Sequence, residues 1–215
     1  MLEFHNPLEL VLRVANVIND PYFPATSMPD ADWWQALWPD PDGVVRSLGV
    51  LPNMAVLDVC CGDGRFTPAL CRAAAPATVQ AIDIDADELA RARQACAAEH
   101  CENVEFLQAD VSDLSQIISE PQDFVFMANT FHGVPDKVSF AQSIGRLLKP
   151  GGRLVIVNWH DTERGLTTVM GKPRGPATEL RLSPEACAET ISAAGFALYN
   201  VVELAPFHYG AVFKT

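Results

Sequence analysis

At 215 residues, with 49% apolar and 20% charged residues, the chain has the make-up of one soluble globular domain with a substantial core. A formal net charge of −12 argues against a polyanionic partner, because nucleic-acid binding rests on clustered Lys and Arg, and any anionic substrate would need a local basic pocket; no nucleic-acid partner is expected. No stretch approaches the ~20 continuous apolar residues of a membrane span, and no membrane partner is expected either.

The N-terminus carries Glu3, Glu9 and Arg13 where a signal peptide needs a basic start and an unbroken apolar run, which predicts a cytoplasmic protein. Leu8, Val11, Leu12, Ala15 and Ile18 fall on one face of an amphipathic helix, a surface on which a homodimer could form. A proline-rich segment with Trp33, Trp34 and Trp38 follows, read as stiffened chain without regular structure. Its tryptophans either form a lid over a ligand or dock the segment onto the body of the domain. Residues 1–42 are therefore read as a helix and cap segment, and residues 43–215 as the domain itself.

From there the type of element alternates. Residues 54–60 read as a buried strand, 65–75 as a helix, 78–85 as a strand and 85–100 as a helix in which Asp85 and Glu88 have capping-box spacing. Residues 104–110 and 123–129 read as strands, 135–148 as a helix, "KPGG" (149–152) as a sharp stop, and 153–159 as a fifth strand. A helix near 184–194 and strands near 196–204 and 208–214 close the chain. This order predicts an α/β fold: a doubly wound, mostly parallel seven-stranded sheet of Rossmann-like type, helices on both faces, and an antiparallel last strand. Ligands of such sheets bind beyond the carboxyl ends of the strands.

The six cysteines (60, 61, 71, 96, 101, 187) contain no C-x-x-C pair, so reduced, mostly buried thiols are expected rather than a metal or redox site. The stretch Val56–Phe66, "VLDVCCGDGRF", instead resembles a ligand loop. Gly62 and Gly64 allow a tight turn and close backbone approach, and the helix that follows aims N–H groups at a ligand. Asp83 ends the next strand about 20 residues on, where a carboxylate accepts from a ribose diol. Thr67 stands where a dinucleotide fingerprint has its third glycine. Asp58 is placed badly for a pyrophosphate and well for a cationic amino group, and Asp110 could accept from an exocyclic adenine amine. Together they describe S-adenosylmethionine. Singly, Asp83 and Asp110 also fit helix caps or turns.

At these residues the sequence resembles the class I S-adenosylmethionine-dependent methyltransferases. "VLDVCCGDG", "AIDID", "FLQAD" and "LLKPGGRLVIVNW" look like the family's successive motifs, across roughly residues 43–160. The resemblance implies that Asp58 and the loop Cys60–Cys61–Gly62–Asp63–Gly64 hold the methionine end of the cofactor. It implies that Asp83 takes the ribose hydroxyls, that Ile84 packs on adenine, that Asp110 and Val111 hold the adenine edge, and that Asn129 lies near the methionine moiety. Cys60 departs from the pattern, standing where the family commonly has glycine.

Candidates for proton transfer to or from a nucleophile are His132, His160 and His208, because a free imidazole titrates near working pH. A three-histidine metal site would require all three to converge, which nothing in the sequence indicates, so no metal is expected. Trp33, Trp34, Tyr209 and Arg174 are the candidate substrate contacts, Arg174 lying in a loop with Arg164, Lys172 and Arg181. The expected function is methyl transfer to a small-molecule nucleophile. A nicotinamide-dependent oxidoreductase and a non-catalytic S-adenosylmethionine-binding module are the alternatives.

Overall fold

The computed structural model describes Phe23 and residues 26–215. The expected amphipathic helix at residues 8–18 and the surface it would give a homodimer lie outside the described residues.

Seven strands form one sheet in the order β3-β2-β1-β4-β5-β9-β8. They are β1 Val56–Val59, β2 Val79–Asp83, β3 Val104–Gln108, β4 Gln122–Ala128, β5 Leu148–Trp159, β8 Ala197–Leu204 and β9 His208–Lys214; a separate hairpin joins β6 Thr168–Val169 and β7 Lys172–Pro173. Strands β1 to β5 pair in parallel, while β9 runs antiparallel between β5 and β8.

Both faces of the central strands are buried, and the residues sort by period two. On β4, Phe124 and Phe126 enter one core cluster while Val125 and Met127 enter the other. On β5, Val155 and Val157 oppose Leu154 and Ile156 in the same way. Covering both faces is what permits parallel strands with continuous apolar sequence. Helices α1 (Ala31–Leu37), α2 (Pro41–Ser47) and α3 (Thr67–Ala74) supply the first cluster. Helices α5 (Leu114–Ile117), α6 (Lys137–Gly145) and α7 (Pro184–Ser192) supply the second. Helix α4 (Ala86–Ala98) packs on α3, β2 and β3. Among the described residues no helix is long and apolar enough to cross a membrane.

Two expectations need correction. The Pro/Trp segment is not irregular: it forms α1 and α2. Pro41 occupies the first turn of α2, where its missing N–H costs nothing, and the Asp40 carboxylate caps Gly43 N–H at 2.8 Å. The boundary expected between residues 42 and 43 thus falls inside a helix. "KPGG" is not a stop either. It is a bulge within β5, where the register with β4 shifts between Gln122 and Phe124 and Gly151 takes φ +77°.

The sheet reverses direction of winding at β1. Strands β2 and β3 lie to one side of it and β4 to the other, so the loops after β1 and β4 part and leave a crevice at their carboxyl ends.

Candidate active site

That crevice opens into a cavity of about 1100 Å³. Residues just beyond β1, β2, β3 and β4 line one end, and the segment around α1 and the loop after β5 line the other. The volume exceeds what one drug-sized ligand fills.

The β1 loop is held in a left-handed course. Cys60, Gly62 and Gly64 have φ of +57°, +54° and +81°. Only glycine takes such values without penalty, which is the physical reason a glycine would suit position 60. A Cβ on Gly64 would lie 2.7 Å from Ala92 Cα, and one on Gly62 would lie 2.5 Å from Met28 Sδ. The loop is therefore clamped between α4 on one side and the 26–30 segment on the other. It is tied to β2 as well: Gly62 N–H donates to Asp83 Oδ2 at 2.9 Å, while Asp85 N–H donates to Asp83 Oδ1 at 3.0 Å. Each Asp83 oxygen thus spends one lone pair on backbone and keeps another for a ligand.

Asp58 is buried, and Thr67 Oγ1 donates to its Oδ2 at 2.7 Å. Burial dominates: it pushes the carboxyl up to about 7, against the opposing Thr67 bond and helped by the nearby Asp83. Burial likewise raises Asp83 and Asp63, and it raises the Cys60 and Cys61 thiols well above their ordinary value, so both cysteines are thiols rather than thiolates. Asp85 caps α4 through Asp87 and Glu88 N–H, and Glu88 pairs with Arg91 rather than completing a capping box. Asp110 caps the short turn after β3 through Ser112 N–H at 2.8 Å and also faces the cavity.

Of the residues named from sequence, Asp58, Cys60, Cys61, Gly62, Asp83, Ile84, Asp110, Val111, Asn129, His132, Trp33, Trp34 and Arg174 come together around this cavity. Gly64 lies behind the wall and shapes the loop. Three do not converge, and the expectation for them is corrected. His208 is buried between the Trp38 and Trp159 rings, at centroid distances of 4.4 and 4.1 Å, and burial drives its ring well below the usual imidazole range. His160 pairs with Glu203 at 2.9 Å on the outer side of β9. Tyr209 points into the second core cluster and donates to the Leu182 carbonyl at 3.1 Å.

Several lining residues were not anticipated. Trp159 ends β5, Arg65 follows Gly64 directly and Thr130 lies beyond β4, while Arg164 lines the wall from the loop it shares with Arg174, as that loop's charge suggested. Thr67 was read only as a missing glycine; its hydroxyl is the partner of Asp58. A hydroxyl at the first position of α3, nine residues beyond the acid of β1, is the signal for it.

The tryptophans dock the segment onto the body of the domain. Trp33, Trp34, Trp38, Phe66 and Phe126 form a chain of edge-to-face contacts at 5.0 to 6.1 Å that docks α1 on the sheet. The first two of these rings also face the cavity.

The cavity suits an adenosyl sulfonium amino acid. Carboxylates stand at or just beyond the ends of three successive strands, Gly62 lines the wall between them, and both polar atoms of the Asn129 side chain are buried with no hydrogen bond among the described residues. An orphaned buried amide calls for a ligand partner. Comparison with known proteins agrees with this geometry. Residues 51–195 match the family described as Methyltransferase domain. The chain belongs to the class I S-adenosylmethionine-dependent methyltransferases.

A demethylmenaquinone methyltransferase of Staphylococcus aureus is 33% identical over 113 residues, which are 52% of this chain and 46% of that protein. The chain thus spans about half the length of the curated relatives it matches. A crystal structure of a SAM-dependent methyltransferase from Aquifex aeolicus aligns over 87% of this chain and 99% of its own, with a TM-score of 0.72 and 26% identity. The magnesium protoporphyrin IX methyltransferase of Synechocystis PCC 6803, solved with SAM bound, shares the fold at TM-score 0.60 and 17% identity over 85% of this chain and 89% of its own. Family membership sets aside the nicotinamide alternative.

Proposed function

We propose that this methyltransferase acts on a small-molecule nucleophile held at the tryptophan-lined end of the cavity. The observation that carries this reading is the division of one cavity into an acidic strand-end half and an aromatic half, with Asn129 and His132 among the residues of the β4 loop that line it. When bound, S-adenosylmethionine supplies an electrophilic methyl on a sulfonium sulfur. Asp58, Asp83 and Asp110 would hold its cationic and hydroxyl groups, Ile84 and Val111 its base, and the Gly62 backbone its approach. Trp33, Trp34 and the 26–30 segment would exclude water, and the fixed walls would set the line of attack. Such alignment is worth ~7–11 kcal/mol in effective molarity.

His132, buried in the cavity wall, would take a proton from a nucleophile that arrives protonated. Asn129 would bind the methionine moiety through its amide. The net charge of −12 and the enclosed aromatic end speak for a small molecule over a nucleic acid. A cytoplasmic setting goes with this reading, since six thiols without a C-x-x-C pair suit a reducing compartment.

The test is turnover of S-adenosylmethionine to S-adenosylhomocysteine with a panel of phenols, carboxylic acids, thiols and amines. The reading predicts acceptance of at least one panel member, and a fall of about a hundredfold or more in kcat for His132→Ala with that acceptor. Tight cofactor binding with no turnover on any member would favour the non-catalytic binding module instead.

A further inference from the structure

The segment around α1 and the loop after β5 bring two arginines and one carboxylate, Asp30, to the substrate end of the cavity of a strongly acidic protein. Arg174 and Arg164 both line it. Neither belongs to any ion pair among the described residues. The Arg174 guanidinium lies over the Trp33 ring, 4.8 Å from its centroid, and its Nε is buried with no hydrogen bond among the described residues.

The main chain of Arg174 is fixed. Its N–H donates to the Thr167 carbonyl at 2.9 Å, and its own carbonyl accepts from Thr167 Oγ1 and from Arg181 Nη2. Arg181 is a different case. It donates from all three nitrogens to the carbonyls of Pro176, Thr162 and Arg174 and to Thr167 Oγ1, and it stacks on Trp159 at 4.9 Å. Four of its five N–H groups are engaged in building the loop and its side chain does not line the cavity, so the fork left for a ligand is that of Arg174. Arg164 spends its Nε on the Gly175 carbonyl and keeps its terminal nitrogens.

A guanidinium stacked on an aromatic face keeps its edge free, and that edge matches a planar oxyanion two-to-two. Burying part of an unpaired cation is costly unless an anion completes it. The far end of the same cavity, lined by Asp58, Asp83 and Asp110, would repel that anion. Arg65, which follows the β1 loop, donates from Nη2 to the Trp38 carbonyl.

Resting on the function proposed above, we propose that the methyl acceptor carries a carboxylate-class anion that docks on Arg174, assisted by Arg164, with its apolar body against Trp33 and Trp159. The acidic half of the cavity then selects the cofactor and the basic half selects the acceptor.

The experiment is calorimetry of the S-adenosylhomocysteine-saturated protein with matched pairs of acid and neutral amide: benzoate and benzamide, salicylate and salicylamide, indoleacetate and indoleacetamide. At least one acid should bind about tenfold tighter than its amide or better. Arg174→Met keeps the stem on Trp33 and should abolish that preference, while Arg174→Lys should restore only part of it. Arg164→Met should weaken the preference. Lys172→Met removes the same charge from the exposed hairpin and should leave acid affinity within about twofold.

Equal binding of acids and amides, absence of acid binding, or a preference that survives Arg174→Met would overturn the proposal. So would an Arg174→Met protein that loses affinity for S-adenosylhomocysteine instead, because the arginine would then serve the cofactor. Failure of the wild-type protein to bind S-adenosylhomocysteine would count against the function proposed above, and the acid–amide comparison would still be read in the cofactor-free protein.

Discussion

Asp58 shows how one side chain links fold and ligand. Its carboxyl is buried, held by Thr67, and pushed up to about 7. A group whose folded value lies above its unfolded one binds its proton more tightly when folded. The free protein therefore loses stability as pH rises from the ordinary carboxylate range to about 7, and loses no more from this group beyond it. Ligand binding has the opposite sign, because only the ionised carboxylate complements a cationic amino acid. Affinity for S-adenosylmethionine should rise with pH up to about 7, by up to tenfold per unit, and then level off. Asp58→Asn should flatten that profile and leave binding weak throughout. Calorimetric titration across the range reads both; a wild-type affinity that does not change below pH 7 would count against the pairing. The acid itself was legible in the sequence, because a carboxylate that ends an apolar strand before a glycine turn has few structural reasons to be there. Its partner Thr67 was not, because a hydroxyl in a helix has many.

Elements were read best where packing and periodicity agree. The strands of the central sheet stand out as apolar runs because both their faces are covered, and Asp85 marks the start of α4 by its cap. The short helices α1 and α2 were hidden by prolines that suggest irregular chain, although Pro41 in the first turn beside the Asp40 cap is a helix start. The bulge at "KPGG" was hidden for the converse reason: strong turn residues suggested the stop between a helix and a strand where β5 is already under way. The junction of the β1 loop with α4 gives the test at this scale. Gly64 combines φ +81° with a backbone neighbour that cannot give way, Ala92 Cα at 2.7 Å from a Cβ. Gly64→Ala should cost about 1–3 kcal/mol of stability, read by urea denaturation, and weaken cofactor binding with it. Gly62→Ala meets only the flexible end of Met28 and should cost less, though its φ of +54° still strains it.

At the scale of the whole molecule, the winding of the sheet decides which strand-end residues meet. The loops after β1 and β4 diverge at the switch point, and the residues after β2, β3 and β5 turn inward around the gap. Strand alternation made this much legible without coordinates. The histidines show what did not carry over. His208 opens β9 and pairs with Trp159, so it does stand at the correct end of the sheet. The period of two turns it onto the face where Trp38 and Trp159 enclose it, and turns Tyr209 to the opposite face. A linear sequence tells which end of a sheet a residue occupies more readily than which neighbour covers it.

The most direct measurement is calorimetric titration of the protein, and of Asp83→Ala, with S-adenosylmethionine and with the nicotinamide dinucleotides. The account predicts one saturable site for S-adenosylmethionine, weakened about tenfold or more by Asp83→Ala, and no measurable heat from a dinucleotide. Tight dinucleotide binding, or S-adenosylmethionine affinity indifferent to the loss of Asp83, would contradict it.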